Sequence, residues 1–580
     1  MKSPGVPRAI GAAVIKGAHL VGDASEAWDV LFGPLVVDAA SRTVVGGPSF
    51  ALTIRLRGRR WNRLGQDPTL KEMSSMRKKQ TAVLVIDCGA TNIRVVAINS
   101  AGKTLVQAGE ANEPVRERGA GKGWFLWDLE RLWKIIGGLA RKVVRRIGAP
   151  SIKAVTVTTW GADGTTVDEK GRLTHPLIAW RCERTAPTAE AVSRRIGRRR
   201  LFDVAGYPVI PFNTIFRMAW LAENAPDALR KASAFLMTPG LVSMKLTGKP
   251  SIDPTIASTG MNMDLAKRDW SDELLGEVGF PRRLLPRWVE PGSIIGEVTK
   301  SAAKATGLAA GTPVVAAGHD TQFALIGSGI APGEAVVSSG TWEILIARSP
   351  RFTPNDASFE GGLLYECDAQ PGRWNPQLLM MGSGVLEWVA GRWYADIRQR
   401  KARYGVMIGE ASEESAGSGG VVLLPSFTGT GPNQRYGTKG TLLGLTLNTT
   451  RAQVYRAALE GLAFQLKDAL AVFKAAAGIE PEALRVVGGG AKNRLWNQIR
   501  ADVTGLPVVV PAETEATALG AAIVALVGAG VYASIDEARD EIDFGETRVE
   551  PSRAAGAYAG LYEVYKGLAP ALAPFYLGGR

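Results

Sequence analysis

Val83-Leu-Val-Ile-Asp87-Cys-Gly89-Ala-Thr91-Asn92-Ile-Arg94-Val-Val reads as a β-branched strand, a tight turn of small polar residues with glycine, and a second apolar strand. Far downstream the same pattern returns in Glu334-Ala-Val-Val-Ser338-Ser339-Gly340-Thr341-Trp342-Glu343-Ile-Leu-Ile-Ala. Glycine lets a backbone approach a ligand closely, while Thr, Ser and backbone N–H groups donate to phosphate oxygens. One copy of such a hairpin would be weak evidence. Two copies, one in each half, indicate a duplicated domain that closes on a nucleotide.

Outward from the first hairpin, Asn99-Ser-Ala-Gly102 marks a second turn, followed by an amphipathic helix from the N-cap Asp128 to Ile147. Leu129, Leu132, Trp133, Ile136, Leu139 and Val143 line one face of this helix; Lys134, Arg141, Arg145 and Arg146 line the other. A strand over residues 154–159 continues the alternation, which indicates α/β layers. The second half repeats it with a strand hairpin at 335–347, a helix over 450–477, a strand at 484–487 and a helix at 515–530. The hinge is expected just after Asp320. Ser415 to Gly420 reads as a surface loop. Residues 1–75 stand apart, with an Arg-rich patch and no clear period. Met76 then leads into the first hairpin as a protein start would, so an irregular extension from an upstream start and a real accessory segment are equally weighted.

With 580 residues the chain can hold two or more domains, each with a full core. Its 46% hydrophobic and 21% charged residues are ordinary for a globular protein. The net charge of +14 is dispersed, and neither basic run (Arg77 to Lys79, Arg198 to Arg200) is interleaved with aromatics, so nucleic acid is not an expected partner. Cys88, Cys182 and Cys367 are too scattered for a disulfide framework or zinc site, which favours a reducing, cytoplasmic location. No secretory signal is visible, and the uncharged stretch from Ala516 to Ser534 reads as a buried helix pair rather than a membrane span.

The residues able to do chemistry follow the same frame. Asp320 ends the strand-like Pro313-Val-Val-Ala run beside Gly318 and His319, where it could take a proton from a sugar hydroxyl as that oxygen attacks phosphorus. Its simpler reading is a helix cap. Asp87, set among Val and Ile at a strand end, suits a carboxylate that holds Mg²⁺ through water. Gly89, Ala90, Thr91 and Asn92 would form the turn against phosphate, with Arg94 as a nearby cation. Ser338, Ser339, Gly340 and Thr341 would form the second clamp. Gly488, Gly489 and Gly490, followed by Asn493, make a turn that admits a flat adenosine. No standard P-loop is present: Gly119-Ala-Gly-Lys-Gly lacks its preceding strand and its Lys-Ser/Thr ending.

Seven stretches together resemble the FGGY carbohydrate kinases, over residues 76 to about 550: Asp87 to Asn92, Trp180-Arg-Cys-Glu-Arg-Thr185, Ala317-Gly-His-Asp-Thr-Gln-Phe-Ala-Leu325, Ser338 to Leu345, Ser383-Gly-Val-Leu-Glu-Trp388, Leu447-Asn-Thr-Thr-Arg-Ala452, and Gly488 to Gln498. The resemblance implies a two-domain, actin-like (ribonuclease H-like) α/β fold with a nucleotide and sugar cleft between its domains. The expected boundaries are 76–325 for the sugar-binding domain and 326–570 for the ATP-binding domain.

The resemblance also implies ATP and a small sugar as substrates, Mg²⁺ as cofactor, Asp320 as catalytic base, Asp87 as the metal-associated carboxylate, and Thr341 with Gly489 as ATP contacts. A sugar pocket is implied around Gly161, Asp163, Arg184, His319, Asp320 and Thr321. Within the family the fuculose-phosphorylating branch is nearest, so the expected acceptor is L-fuculose. L-rhamnulose, D-ribulose and L-xylulose are the alternatives, and a non-catalytic sensor of the same fold is a further one. The oligomeric state is left open, a homodimer being among the forms allowed. Two departures stand out: residues 1–75 have no counterpart, and Cys182 takes a place where many relatives carry Asp.

Overall fold

The computed structural model describes residues 36–38, 43–45, 81–119, 121–513 and 515–577. The chain divides into two units, residues 1–77 and 78–580. In the first, Val36–Asp38 pairs antiparallel with Thr43–Val45. The reading of residues 1–75 as an irregular extension otherwise lies outside the described residues.

The two largest sheets of the second unit are built on one plan. The first contains β1 (Ala82–Cys88), β2 (Asn92–Asn99), β3 (Thr104–Ala111), β4 (Ile152–Thr159), β5 (Ile294–Glu297) and β6 (Pro313–Val315), in the order β5-β6-β4-β1-β2-β3. The second contains β7 (Glu334–Ser339), β8 (Trp342–Ile346), β9 (Leu364–Cys367), β10 (Trp374–Met381), β11 (Ala483–Val487), β12 (Val508–Val510) and β13 (Thr547–Val549), in the order β9-β10-β8-β7-β11-β12-β13. In each sheet the hairpin strand pairs antiparallel with its neighbour and parallel with a strand that returns through helices: β1 with β2 and β4, β7 with β8 and β11. The duplication read from the two hairpins is therefore a duplication of topology.

Local rules account for the individual elements. Every residue of β1 is buried, which is why it reads as a continuous apolar run rather than an alternating one. The crossover from β3 to β4 runs through helix α1 (Leu129–Ile147), where Asp128 accepts from the Arg131 N–H at 3.0 Å and Arg145 and Arg146 close the carbonyl end. Thr450 and Gln453 form a reciprocal capping box at the start of α3 (Arg451–Ala477), which follows α2 (Asp320–Gly327) along the chain. After α3 come α4 (Arg494–Thr504) and α5 (Ala516–Gly528).

Helices α2 and α5 tie the sheets together. On leaving the first sheet, α2 packs Ala324 and Leu325 against Val336, Ile346 and Val487 of the second. In return α5, arriving from the second sheet, packs Leu519, Ala522 and Val524 among Val83, Val85, Val96 and Val315 of the first. The helices cross backbone to backbone. A Cβ on Gly520 would lie 1.8 Å from the Phe323 carbonyl oxygen, and one on Gly327 1.8 Å from that of Ala516.

Two local expectations are corrected. Residues 516–534 are not a helix pair: α5 ends at Gly528, and a turn separates it from the short helix Ile535–Glu541. The stretch from Ser415 to Gly420 is not all surface, because Ser418 is buried with its hydroxyl donating to Glu460 at 2.8 Å. All three cysteines are buried free thiols. Among the described residues no helix is long and apolar enough to cross a membrane.

The Gly520→Ala substitution forces a methyl into the helix crossing, and overpacking of this kind costs about 1–3 kcal/mol. Urea unfolding of the full chain is expected to show that loss. Gly489→Ala, where a Cβ meets nothing within 4 Å, is expected to leave stability within about 0.5 kcal/mol of the parent.

Candidate active site

The two hairpin turns and the two loops beside them leave neighbouring strand ends. Cys88 pairs with Thr159, so the Gly89 turn and the Trp160–Asp163 loop emerge side by side; Ser338 pairs with Val487, so the Gly340 and Gly488 turns do the same. Ligands of α/β sheets bind at such carboxyl ends. At the Gly89 turn opens a cleft of about 490 Å³, lined by Asp87, Gly89, Thr91, Asn92, Arg94, Asp320 and Thr517, with Gly109 to Ala111 of β3; the Gly340 and Gly488 turns are not part of its lining.

At the first turn the Gly89 N–H donates to the Asn92 carbonyl at 2.9 Å, and a Cβ at 89 would lie 2.7 Å from that oxygen. Thr91 and Asn92 are thereby held exposed and Ala90 half-buried. Arg94, expected as a cation near the turn, lines the cleft and is paired there. Its Nε and Nη2 donate to Asp87 Oδ2 at 3.0 and 2.5 Å, and its Nη1 pairs with Glu515. Burial raises the Asp87 pKa, Arg94 works against that, and the charge of Asp320 adds to it.

Asp320 opens α2 and is supported from behind. Gly318 is required because a Cβ there would fall 2.2 Å from Asp253 Oδ1. Asp253 accepts from the N–H groups of Thr255 and Ile256, and Thr255 Oγ1 accepts from the His319 N–H at 3.0 Å. The His319 ring is bridged: Nδ1 lies 2.8 Å from Glu366 Oε2 and Nε2 3.4 Å from Asp320 Oδ1. Burial works to strip this ring of its proton, but the charge and hydrogen bond of Glu366 outweigh it, helped by Asp320 and Asp253, and the pKa rises to about 9. Burial raises the Asp320 pKa, with His319 and Thr321 acting in the opposite direction. Thr321 Oγ1 donates to Asp320 Oδ1 at 3.2 Å.

The residues expected to meet the sugar divide. Gly161 abuts His319, since a Cβ on it would lie 3.1 Å from Nε2. Asp163 is corrected from ligand to anchor. Its carboxylate is fully enclosed by Trp127 Nε1 at 2.6 Å, Trp160 Nε1 at 2.8 Å, the Trp180 N–H at 3.1 Å and Arg217 at 2.8 Å. Arg184 is also enclosed. It pairs with Glu117, donates to Cys182 Sγ at 3.0 Å and lies over the Trp124 ring at 4.1 Å. Ala162, between Gly161 and Asp163, is held at φ 67° by hydrogen bonds from Thr214 and Arg217 to its carbonyl.

On the second sheet three further expectations change. Ser339 is buried, not a phosphate donor: its hydroxyl donates to Glu343 Oε1 at 2.8 Å and accepts from Arg500 at 2.7 Å, and Arg500 pairs with Glu343. Gly488 and Gly490 exist to let Ser339 in, because a Cβ on either would lie 2.7 Å from the Ser339 carbonyl oxygen or 2.1 Å from its hydroxyl. Asn493 caps α4 by accepting from Trp496 N–H and donates to Tyr455. Gly340, Thr341 and Gly489 are the exposed members of this turn pair.

Sequence reasoning missed Glu343, Glu366, Arg217 and Arg500. The available signal was a single charge within an apolar stretch, as in Leu363-Leu-Tyr-Glu366-Cys and Trp342-Glu343-Ile-Leu-Ile. Among the described residues no group of three or more His, Cys, Asp or Glu is placed to hold a metal ion. The pair Asp87 and Asp320 on one cleft still suits Mg²⁺, which takes few protein ligands and keeps several waters.

The model for the N-terminal domain of the FGGY family of carbohydrate kinases matches residues 82–327, and that for the C-terminal domain matches residues 335–529. The chain is 39% identical over 468 residues to L-fuculokinase of Escherichia coli strain K12, covering 80% of this chain and 96% of that protein. It is 34% identical over 475 residues to L-fuculokinase of Haemophilus influenzae, covering 81% and 99%. Among solved structures, xylulose kinase from Rhodospirillum rubrum superposes with a TM-score of 0.76 at 22% identity, covering 85% of this chain and 99% of that one, which shows the shared two-domain fold.

Glu343→Gln leaves the buried Arg500 guanidinium without its counter-charge. Breaking such a pair costs about 3–5 kcal/mol, expected as a lower urea midpoint. Replacing both partners together, Glu343→Leu with Arg500→Met, is expected to recover most of that loss.

Proposed function

The chain belongs to the FGGY family of carbohydrate kinases, and on that premise we propose that it transfers the γ-phosphoryl group of ATP to the terminal primary hydroxyl of a deoxy-ketose, L-fuculose. The observation that carries the reading is the placement of Asp320 in one cleft with the Gly89 turn and Asp87. In this reading residues 76–325 hold the sugar and residues 326–570 hold ATP.

His319 and Thr321 flank Asp320, Gly161 abuts His319, and the three would orient the sugar. Gly89 to Asn92 would meet the phosphates, and Gly340, Thr341 and Gly489 would take the rest of the nucleotide. As the sugar oxygen attacks the γ-phosphorus its proton passes to the Asp320 carboxylate, the bond to the β-phosphate oxygen breaks, and ADP leaves. A carboxylate whose pKa is raised by burial is a stronger base than one in water. Bound Mg²⁺ would neutralise phosphate charge, with Asp87 holding it through water. Enclosing the reactants excludes water and limits hydrolysis of ATP. Three buried thiols suit a reducing cytoplasm.

Sugar-dependent ADP release, measured with Mg²⁺-ATP across a panel of ketoses, aldoses and glycerol, is expected to favour L-fuculose. Preference for L-rhamnulose, D-ribulose or L-xylulose would replace the acceptor, and ATP binding without turnover on any sugar would favour a sensor. Asp320→Asn is expected to lower kcat by about 10²–10⁴ with the ATP Kd within about twofold. Turnover near the parent rate in that variant would remove Asp320 as the base.

A further inference from the structure

Beyond the residues matched by the family models lies α6 (Ala555–Leu577), a helix whose inner face is accounted for. Tyr558, Tyr565 and Ala569 are buried in one cluster with Phe464 of α3, and Leu561, Leu568 and Leu572 pack beside them. The Tyr558 hydroxyl donates to Glu460 at 2.8 Å and that of Tyr562 to Asp468 at 2.6 Å. The outer face has no such partners. Along it Gly556, Gly560, Val564, Gly567, Ala571 and Phe575 are exposed, Val564 at 63% and Phe575 at 80%. The only charged residues of the helix are Glu563 and Lys566, which pair with each other at 2.7 Å, and it holds no Ser, Thr, Asn or Gln.

A helix that faces water carries a polar outer side, as α1 does with Lys134, Arg145 and Arg146, whereas a helix apolar all round is a buried one. A helix lying on a membrane surface would carry a Lys- and Arg-rich rim, and α6 has one Lys, already paired. The face therefore fits protein. We propose that α6 is a self-association surface, through which two copies of this chain pair antiparallel as a two-fold dimer.

The spacing of the exposed positions points to a second copy. They follow one another at 4, 4, 3, 4 and 4 residues, a series that reads the same in both directions. An isologous contact needs a surface that complements itself in this way. Laid antiparallel about a dyad between Tyr565 and Lys566, the helix sets Gly556 opposite Phe575, Gly560 opposite Ala571 and Gly567 opposite Val564. Each large side chain then meets a glycine, which lets the two backbones approach. Glu563 and Lys566 lie on one flank of the stripe, and across the dyad each Glu563 falls about 3 Å along the axis from the partner's Lys566, so the charges are complementary. A helix pair about 28 Å long buries on the order of 1,000 Å² in all, the low end of specific interfaces, so the dimer is expected to dissociate on dilution.

Sedimentation velocity of the full chain over a dilution series is expected to show a monomer–dimer equilibrium. Val564→Glu puts an unpaired charge at the centre of the stripe and is expected to weaken the dimer by more than about tenfold. Its urea midpoint, taken where the parent is monomeric, is expected to match the parent's, because residue 564 is exposed. Ala559→Glu, exposed but off the stripe, is expected to leave the equilibrium unchanged. A parent that stays monomeric at every concentration, or a dimer that Val564→Glu leaves intact, overturns the proposal. Register is read separately by cysteine cross-linking, since the three native thiols are buried. A mixture of Gly560→Cys and Ala571→Cys chains is expected to form a disulfide-linked dimer. Neither variant alone is expected to do so, because its own two copies lie about 16 Å apart along the axis, beyond disulfide reach. Cross-linking confined to the single variants, or none in the mixture, overturns the antiparallel pairing.

Discussion

The crossing of α2 and α5 is the constraint on which the rest depends. Each helix comes from one sheet and buries side chains in the other, and the exchange requires their backbones to touch at Gly327 and Gly520. Any side chain at either position would push the helices apart. Asp320 begins α2 and Thr517 lies in the first turn of α5, so both reach the cleft from the two ends of this junction. The packing of this junction therefore fixes where Thr517 of one helix stands relative to Asp320 of the other.

Behind the exposed loops runs a layer of buried charge. Asp163 with Arg217 anchors the Trp160–Asp163 loop, Glu366 with His319 supports Asp320, and Glu343 with Arg500 seats Ser339 beneath the triple-glycine turn. Buried pairs of this kind add little net stability, because desolvation offsets their attraction, but they tolerate few alternative geometries. Their contribution here is to orientation. Residues that look like ligands in the chain, such as Asp163, Ser339 and Asn493, serve as supports for the neighbours that face the cleft.

Much of the fold was legible because its signals are local. The hairpins around Gly89 and Gly340, the Asp128 cap of α1 and the Thr450 capping box of α3 each depend on residues within a few positions of one another. That Asp87, Asp320 and the Gly89 turn stand at strand ends, where they line one cleft, was legible for a related reason: a small polar turn or a lone carboxylate marks the end of an apolar strand. The helix-pair reading of residues 516–534 failed because uncharged Ala and Gly runs carry no period to mark the stop at Gly528.

The roles of charged residues were not legible, since a carboxylate's function depends on what surrounds it. Asp163 is enclosed by Trp127 and Arg217, and Arg94 is claimed by Asp87 and Glu515 from 421 positions away. By itself the sequence determined the strand and helix plan, its duplication and the family, because hydrophobic period, turn chemistry and caps act over short stretches of chain. The tertiary structure alone decided which polar groups face the cleft and which stand behind it, because burial and pairing are set by neighbours that only folding brings within reach.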